Sequence, residues 1–589
     1  MGFIAETSSR LNRLRRSGAR ACPPARMLRR FARDEDGAML IFGFYAFLII
    51  LMVAGIGIDF MRFERDRSRL QATLDRAVLA AADLDQQMDP TAVVEDYFAK
   101  SGLRDYLTSV TVDQGLGYRV VSATASTEID TQFMHMNGVD TLVAPAVGTA
   151  EERIDGVEIS LVLDVSGSMN ERNRLPNLIT AAQEFVDTMA ANSAEGKMTM
   201  SIVPYASQVS VPQSLMDRFN VSDEQQYSNC INFQSADFDT ASLSFSSPYQ
   251  RTMHFDPWFV YDGMVEDGIT LIGNDANGVS LPVCEADENR QMLLMQSDPE
   301  ALKAYIRNLT ARGSTSIDIG MKWGTALLDP SLRPAMSMLS VLGDVPEVAA
   351  TLPTNYNDGE TLKVIVLMTD GENTDQYYIN DGFREGPSNV YFNDAAKAYS
   401  IYHPPVDAYF WPDDNKEYYD RDGNLVNDGN KWADHPFGAN YADGRSQGCV
   451  GRSLGNLSCG ERSEPGTAVN LSYPDLWAHV SLRANLFKNY YPFLSSSIAN
   501  RRWFHDVRNS VSNWVKNDRT ERICDIAKDN NIIVFTIGFD APSSGADILR
   551  YCSSSDSHFF EVKSDSNGEK IRIAFDSIAS SIRKLRLTQ

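Results

Sequence analysis

The sequence predicts a doubly wound, mostly parallel α/β sheet carrying two large insertions, preceded by one transmembrane helix and a small α+β unit. Three observations carry this reading. Residues 38–58 run for 21 positions without a charge. Four short runs, VEISLVL (157–163), MTMSIVPY (198–205), TLKVIVLM (361–368) and NIIVFTIG (531–538), have the near-continuous apolar character of strands buried on both faces. Helical patterns separate them, as a parallel sheet requires.

The bulk properties set the outer limits. A chain of 589 residues exceeds any single small module, and 43% hydrophobic with 22% charged residues excludes wholesale disorder. The net charge of −24 argues against a nucleic-acid partner, since phosphates demand clustered Lys and Arg. A mean hydropathy of −0.27 leaves too little apolar sequence for a many-span membrane protein.

The apolar run, AMLIFGFYAFLIILMVAGIGI, forms a helix about 30 Å long, the thickness of a bilayer core. Residues 1–37 form a basic head, with nine Arg, no Lys and four acids, so the N-terminus is expected in the cytoplasm and the rest of the chain across the membrane. The run is longer than a signal-peptide core and no small-x-small site precedes a mature start, which favours an uncleaved anchor. Acids at 34–36 separate Arg29-Arg30 from the apolar run, unlike a twin-Arg signal, and Met27 is an alternative start. Beyond the membrane, Phe63, Leu70, Leu74, Val78, Ala81, Leu84 and Met88 recur at helical spacing and extend the helix to about Met88. That stripe is either the core face of the 59–150 unit or a packing face for a like subunit. Runs over 106–150 (YLTSVTV, YRVVSATAS, TLVAPAVGTA) read as strands, with a turn at Asn137-Gly138.

From residue 152 the α/β pattern takes over, with a helix over 176–191, a last edge strand at 558–562 and a terminal helix over 569–585. Insertions at 210–296 and 374–518 interrupt it; without them about 206 residues remain, a single domain. Six cysteines beyond the membrane form an even set suited to an oxidising compartment. Sequence order gives the pairs 230–284, 449–459 and 524–552, among 15 possible pairings.

The chemistry concentrates at strand ends. Asp164, Ser166 and Ser168 (DVSGS) close the first strand. Gly313-Ser314-Thr315 opens a helix, where Thr315 is either a ligand or its N-cap. Asp370 (TDG) closes the third strand at the same sheet edge. Hydroxyls and carboxylates in this pattern suit a hard cation. The order DVSGS, GST, TDG resembles the metal-ion-dependent adhesion site of von Willebrand factor type A domains, a Rossmann-like fold. The resemblance implies Ser166, Ser168 and Thr315 as direct or near-direct ligands of Mg²⁺ (or Mn²⁺ or Ca²⁺), and Asp164 and Asp370 as direct or water-mediated ones. It further implies an open coordination position completed by a partner's Asp or Glu, an adhesion or scaffold chemistry rather than catalysis. No nucleophile–base pair is evident nearby.

The basic head, single span, Ala/Arg-rich helix and later type A domain, together with GSTSIDIGMKWG, resemble TadG-like proteins of the bacterial Tad (Flp pilus) group. The sequence departs from pilin-like members at Phe42, where they keep a Glu five residues after the cleavage Gly. The resemblance implies an inner-membrane protein with a periplasmic bulk that helps assemble or anchor a pilus by binding a pilus or Tad component. Alternatives are a type A scaffold for an ATPase or chaperone system, or a hydrolase in the second insertion. That insertion holds 24 aromatics in 145 residues; core filling is the favoured role, a sugar or partner surface the other. Asp420–Asn424 has the beginning of a calcium loop but lacks its Gly and Glu, so a hairpin turn is the better account.

Overall fold

The computed structural model describes residues 36–588 except 84–85, 87, 116–117, 154–155, 194–195, 259–264, 267–268, 271–278, 357–360, 413–417, 420–424, 427–430, 439–445, 564 and 566. Most of the basic head, with Cys22, Met27 and Arg29-Arg30, and the Asp420–Asn424 loop lie outside the described residues. The antiparallel pair Tyr418–Tyr419 and Leu425–Val426 flanks that loop. The described chain forms two compact units, divided near residue 152.

In the first unit, helix α1 (Asp36–Ala82) continues unbroken from the apolar run. Its second half buries Leu70, Leu74, Ala77, Val78 and Ala81 against Val93, Val94 and Phe98 of α2 (Pro90–Lys100) and against Val121, Ala123, Ala125 and Ala146 of a three-stranded sheet. The sheet has the order β1 (Leu107–Gly115), β2 (Tyr118–Asp130), β3 (Thr141–Arg153). The stripe that could have met a like subunit is therefore occupied by the chain's own sheet. The helix stops at Ala82, short of the predicted Met88, which is exposed. Asp89 caps α2 through the Ala92 N–H and must be extended to do so (ψ 127°), so the chain leaves α1 well before it.

The second unit is built on a six-stranded sheet. Its strands are β4 (Gly156–Asp164), β5 (Met198–Tyr205), β6 (Leu293–Gln296), β7 (Thr361–Thr369), β8 (Ile533–Phe539) and β9 (Phe559–Val562), in the order β6-β5-β4-β7-β8-β9. All neighbours are parallel except β6, which pairs antiparallel with β5 at the edge. Helices α3 (Arg174–Ala191), α4 (Pro299–Arg307) and α9 (Glu569–Thr588) cover one face. Helices α5 (Ile317–Ala326), α6 (Arg333–Leu342), α7 (Asn513–Asp529) and α8 (Ser543–Cys552) cover the other. This is the doubly wound arrangement the buried strand runs predict. Helix α5 lies close on the sheet because Gly320 and Gly324 face Tyr205 and Val162; a Cβ at Gly320 would come within 2.7 Å of the Tyr205 ring. Strand β6 corrects the first insertion's boundary, since residues 293–296 belong to the sheet. It is only four residues long and broken by a positive φ at Met295, too short and irregular to stand out in the sequence.

The first insertion packs Leu215, Phe219, Ile231, Phe233, Phe238 and Tyr249 into the same core as α5 and α6. The second leaves and returns on a two-stranded stalk, Gln376–Ile379 against Arg508–Val511. It carries a seven-stranded antiparallel sheet whose strands span 387–393, 398–403, 408–410, 432–433, 446–451, 458–462 and 468–472. Its aromatics mostly fill cores, as expected: Trp411 and Trp477 are fully buried, and Tyr490 stacks on Trp503 at 4.0 Å. Trp514, on α7, is by contrast 71% exposed. All three disulfides pair as sequence order gives them, Cys230–Cys284, Cys449–Cys459 and Cys524–Cys552.

One buried cation joins α5 to the first insertion. Lys322 is fully buried, and its ammonium donates to the carbonyls of Thr240, Ala241 and Ser242. Burial pushes it down to about 8, against the pull of Asp237 and Asp329. An unfolded lysine titrates near about 10.4, so between pH about 8 and 10 the unfolded chain holds more protons and this residue's contribution to stability rises with pH. A Lys322→Met variant is expected to show a shallower rise of urea-unfolding stability over that window than the parent. Identical slopes would contradict it.

Candidate metal centre

Parallel pairing fixes where the two predicted carboxylates stand. The β4–β7 register sets Leu163 opposite Met368, so Asp164 at the end of β4 and Asp370 just after β7 leave the sheet at one edge. Asp164 is fully buried and turns back on its own loop. Its Oδ1 accepts the Ser166 N–H at 2.8 Å and its Oδ2 accepts the Thr369 hydroxyl at 2.6 Å. The Ser166 and Ser168 hydroxyl oxygens lie 3.1 Å apart, and the Ser168 hydroxyl donates to Asp370 Oδ1 at 2.7 Å.

Thr315 arrives on a third loop. Arg312 N–H donates to the Val165 carbonyl and Gly167 N–H to the Gly313 carbonyl, both at 2.9 Å, which stitches this loop to the first. Thr315 Oγ1 sits beside Gly371, 3.6 Å from where a Cβ there would stand. Thr315 does not cap α5. Ser316 occupies the cap position, and Asn373 Oδ1 accepts the Ile317 N–H at 2.8 Å. All five predicted residues thus meet at one sheet edge.

Sequence reasoning missed the groups around them. Arg174, at the start of α3 and almost fully buried, donates to Asp370 Oδ2 at 2.7 Å and pairs with Asp540 at 3.4 Å. Asp540 follows β8, so three neighbouring strands each deliver an aspartate to this edge. Burial, reinforced by the negative charge of Asp370, pushes the Asp164 carboxyl up to about 7. Burial also raises Asp370, against the Ser168 hydrogen bond and Arg174. Asp370 is paired with the Arg174 guanidinium, whereas Asp164 is held by the Ser166 N–H and the Thr369 hydroxyl.

The donor set, hydroxyl and carboxylate oxygens, is of the chemical kind that a small hard cation takes. The Ser166–Ser168 and Ser168–Asp370 separations of 3.1 and 2.7 Å are hydrogen bonds, which a bound cation would replace. Among the described residues no group of three or more His, Cys, Asp or Glu could hold a metal, so a site here depends on the hydroxyls.

One segment of the chain matches a family model. Residues 37–84 match the family model for putative Flp pilus-assembly TadE/G-like proteins. The matched segment coincides with α1 and its immediate continuation. No curated protein sequence matches the chain. Among solved structures, the chain is similar to the vWF domain of the type V pili tip protein Mfa5 from Porphyromonas gingivalis. That likeness has 15% identity and a TM-score of 0.29, covering 74% of this chain and 97% of that one. It is also similar to the pilus adhesin SpaC from Lactobacillus rhamnosus GG (12%, 0.26, covering 81% of this chain and 34% of that one). A third similar structure is the PilB minor pilin from Streptococcus sanguinis (12%, 0.26, 81% and 78%).

A buried lysine underlies the loops of the candidate site. Lys516 of α7 is completely buried and donates to the Thr315 carbonyl (2.8 Å), the Ser316 hydroxyl (2.7 Å) and the Thr374 carbonyl (2.7 Å). Its charge partner is Asp318, also completely buried, at 3.9 Å, with Arg519 at 3.8 Å from the same carboxylate. Thr374 in turn accepts the Thr315 N–H on its hydroxyl. The one sequence hint was a carboxylate, Asp318, inside the apolar stripe of α5. Removing one member of a buried pair typically costs about 3–5 kcal/mol. Lys516→Met should lower unfolding stability by that order in a urea titration; an unchanged midpoint would show that the pair does not hold these loops.

Proposed function

We propose that this chain is a membrane-anchored, non-enzymatic binding module of a Tad/Flp-type pilus system. In this reading Mg²⁺, held by Asp164, Ser166, Ser168, Thr315 and Asp370, binds a carboxylate of a protein partner. The single observation that carries it is the convergence of hydroxyl and carboxylate oxygens from three loops at one edge of the sheet. Mn²⁺ and Ca²⁺ take hard oxygen donors of the same kind.

When bound, the cation supplies a position that an incoming oxygen can occupy. The residues of the chain do the rest. Asp164 is held by Ser166 and Thr369 and orients the first loop. Ser168 joins that loop to Asp370, and Arg174 fixes the second oxygen of Asp370. The doubly wound sheet and the ordered motif support a von Willebrand factor type A-like domain. The family match over 37–84 supports a pilus-assembly setting with a pilus or Tad component as partner. The long apolar helix supports a membrane anchor. With a head of net +5, the proposed orientation is inner membrane, N-terminus cytoplasmic and bulk periplasmic.

The purified full chain should gain thermal stability with added Mg²⁺ or Mn²⁺, increasing with concentration as mass action requires. Asp370→Ala and Ser166→Ala should abolish the gain, which a chelator should reverse. Shifts of equal size in the parent and both variants would rule out the site.

A further inference from the structure

The exposed first half of α1 is not bare along its whole length. Where Met39 to Leu51 are exposed on nearly every side, Gly55 and Asp59 are buried, with Met52 and Ile56 partly covered. These four positions form one face, and the tip of the β2–β3 hairpin covers it. A Cβ at Gly55 would overlap the Phe133 ring. The Asp59 carboxylate, 1% exposed, accepts the backbone N–H groups of Gln132 (3.1 and 3.2 Å), Phe133 (2.7 Å) and Met134 (2.9 Å). Arg62 supports it from 3.8 Å and also reaches the Asp130 carbonyl. Further along, Gln71 donates to the Val147 carbonyl and Gly148 packs on Leu74. The hairpin therefore lies along the helix with its tip pointing back toward the apolar run.

This fixes the depth of the tip. Gly55 lies three residues, about 4.5 Å, inside the apolar run that ends at Ile58. A ring resting on Gly55 stands at that depth. Next to it Met136 is 71% exposed, on a short turn over Met134–Asn137 that closes at Gly138. Gln132, His135 and Asn137, also exposed, are polar companions suited to headgroups. The first N–H groups of such a turn would cost several kcal/mol if left unpaired in lipid. Asp59 takes all three, and its own burial is compensated by them.

We propose that the hairpin tip, through Phe133 and Met136, inserts into the lipid interface of the bilayer that α1 crosses, so that the first unit is seated on the membrane surface and not suspended above it. The partner is the acyl–headgroup boundary. The proposal rests on α1 being a membrane span, and the test separates the two ideas.

The full chain, with Cys22 replaced by Ser and one cysteine introduced for an environment-sensitive fluorophore, is reconstituted into vesicles of phosphatidylethanolamine and phosphatidylglycerol. Quenching is read with lipids carrying a nitroxide near the headgroup or deep in the chain. Probes at Met136→Cys, Phe47→Cys and Val469→Cys report the tip, the span and an exposed position in the second insertion. The expected result is quenching at 136 by the shallow nitroxide, quenching at 47 by the deep one, and none at 469. Quenching at 47 but not at 136 overturns the proposal and leaves the anchor intact. Absence at 47 overturns both. Gly55→Leu should dislodge the tip and abolish quenching at 136; undiminished quenching there would mean that the dye itself seeks lipid, and would also overturn the proposal.

Discussion

Parallel pairing of β4 with β7 is the constraint on which the rest depends. Two strands that run the same way in register bring Asp164, at the end of β4, and Asp370, just after β7, to one edge. Burial disfavours the charge of both carboxylates, and the groups around them offset that cost. Ser166 and Thr369 hold one, Ser168 and Arg174 the other, and three loops are bound across the gap by backbone hydrogen bonds. Hydroxyl and carboxylate oxygens gathered in this way are the donors on which the proposed cation site rests.

The same logic repeats one layer down. Lys516 unites the Thr315 and Thr374 loops with α7, the helix on which the chain returns from the second insertion. Arg174 plays a comparable part across the sheet edge, linking Asp370 to Asp540. Both residues hold the loops of the candidate site in place through buried hydrogen bonds.

Much of this was legible in the sequence, for identifiable reasons. Long apolar strand runs such as VEISLVL signal burial on both faces; the DVSGS and TDG motifs sit where such strands end, and GST opens a helix. Helix α1 was visible because an uncharged stretch of that length has few other uses. The missing parts share a cause: they depend on tertiary partners. Strand β6 is four residues with a break, and α1 ends early because Asp89 is committed to the next helix. Lys516, Arg174 and Asp540 are charged residues whose burial follows only from the way distant loops converge. The aromatic richness of the second insertion was read correctly as core, because large rings in an irregular lobe have nowhere else to go.

The stalk of that insertion has a wider consequence. Gln376–Ile379 and Arg508–Val511 pair side by side, so the lobe begins and ends at one point on the parent domain. Its entry and exit are joined independently of its contents, and the entropic cost of closing such an excursion grows only slowly with its length. Lineages could therefore exchange, enlarge or trim the lobe as a cassette while the sheet and its aspartates stayed unchanged. Recognition would then diversify without renegotiating the fold that supports it.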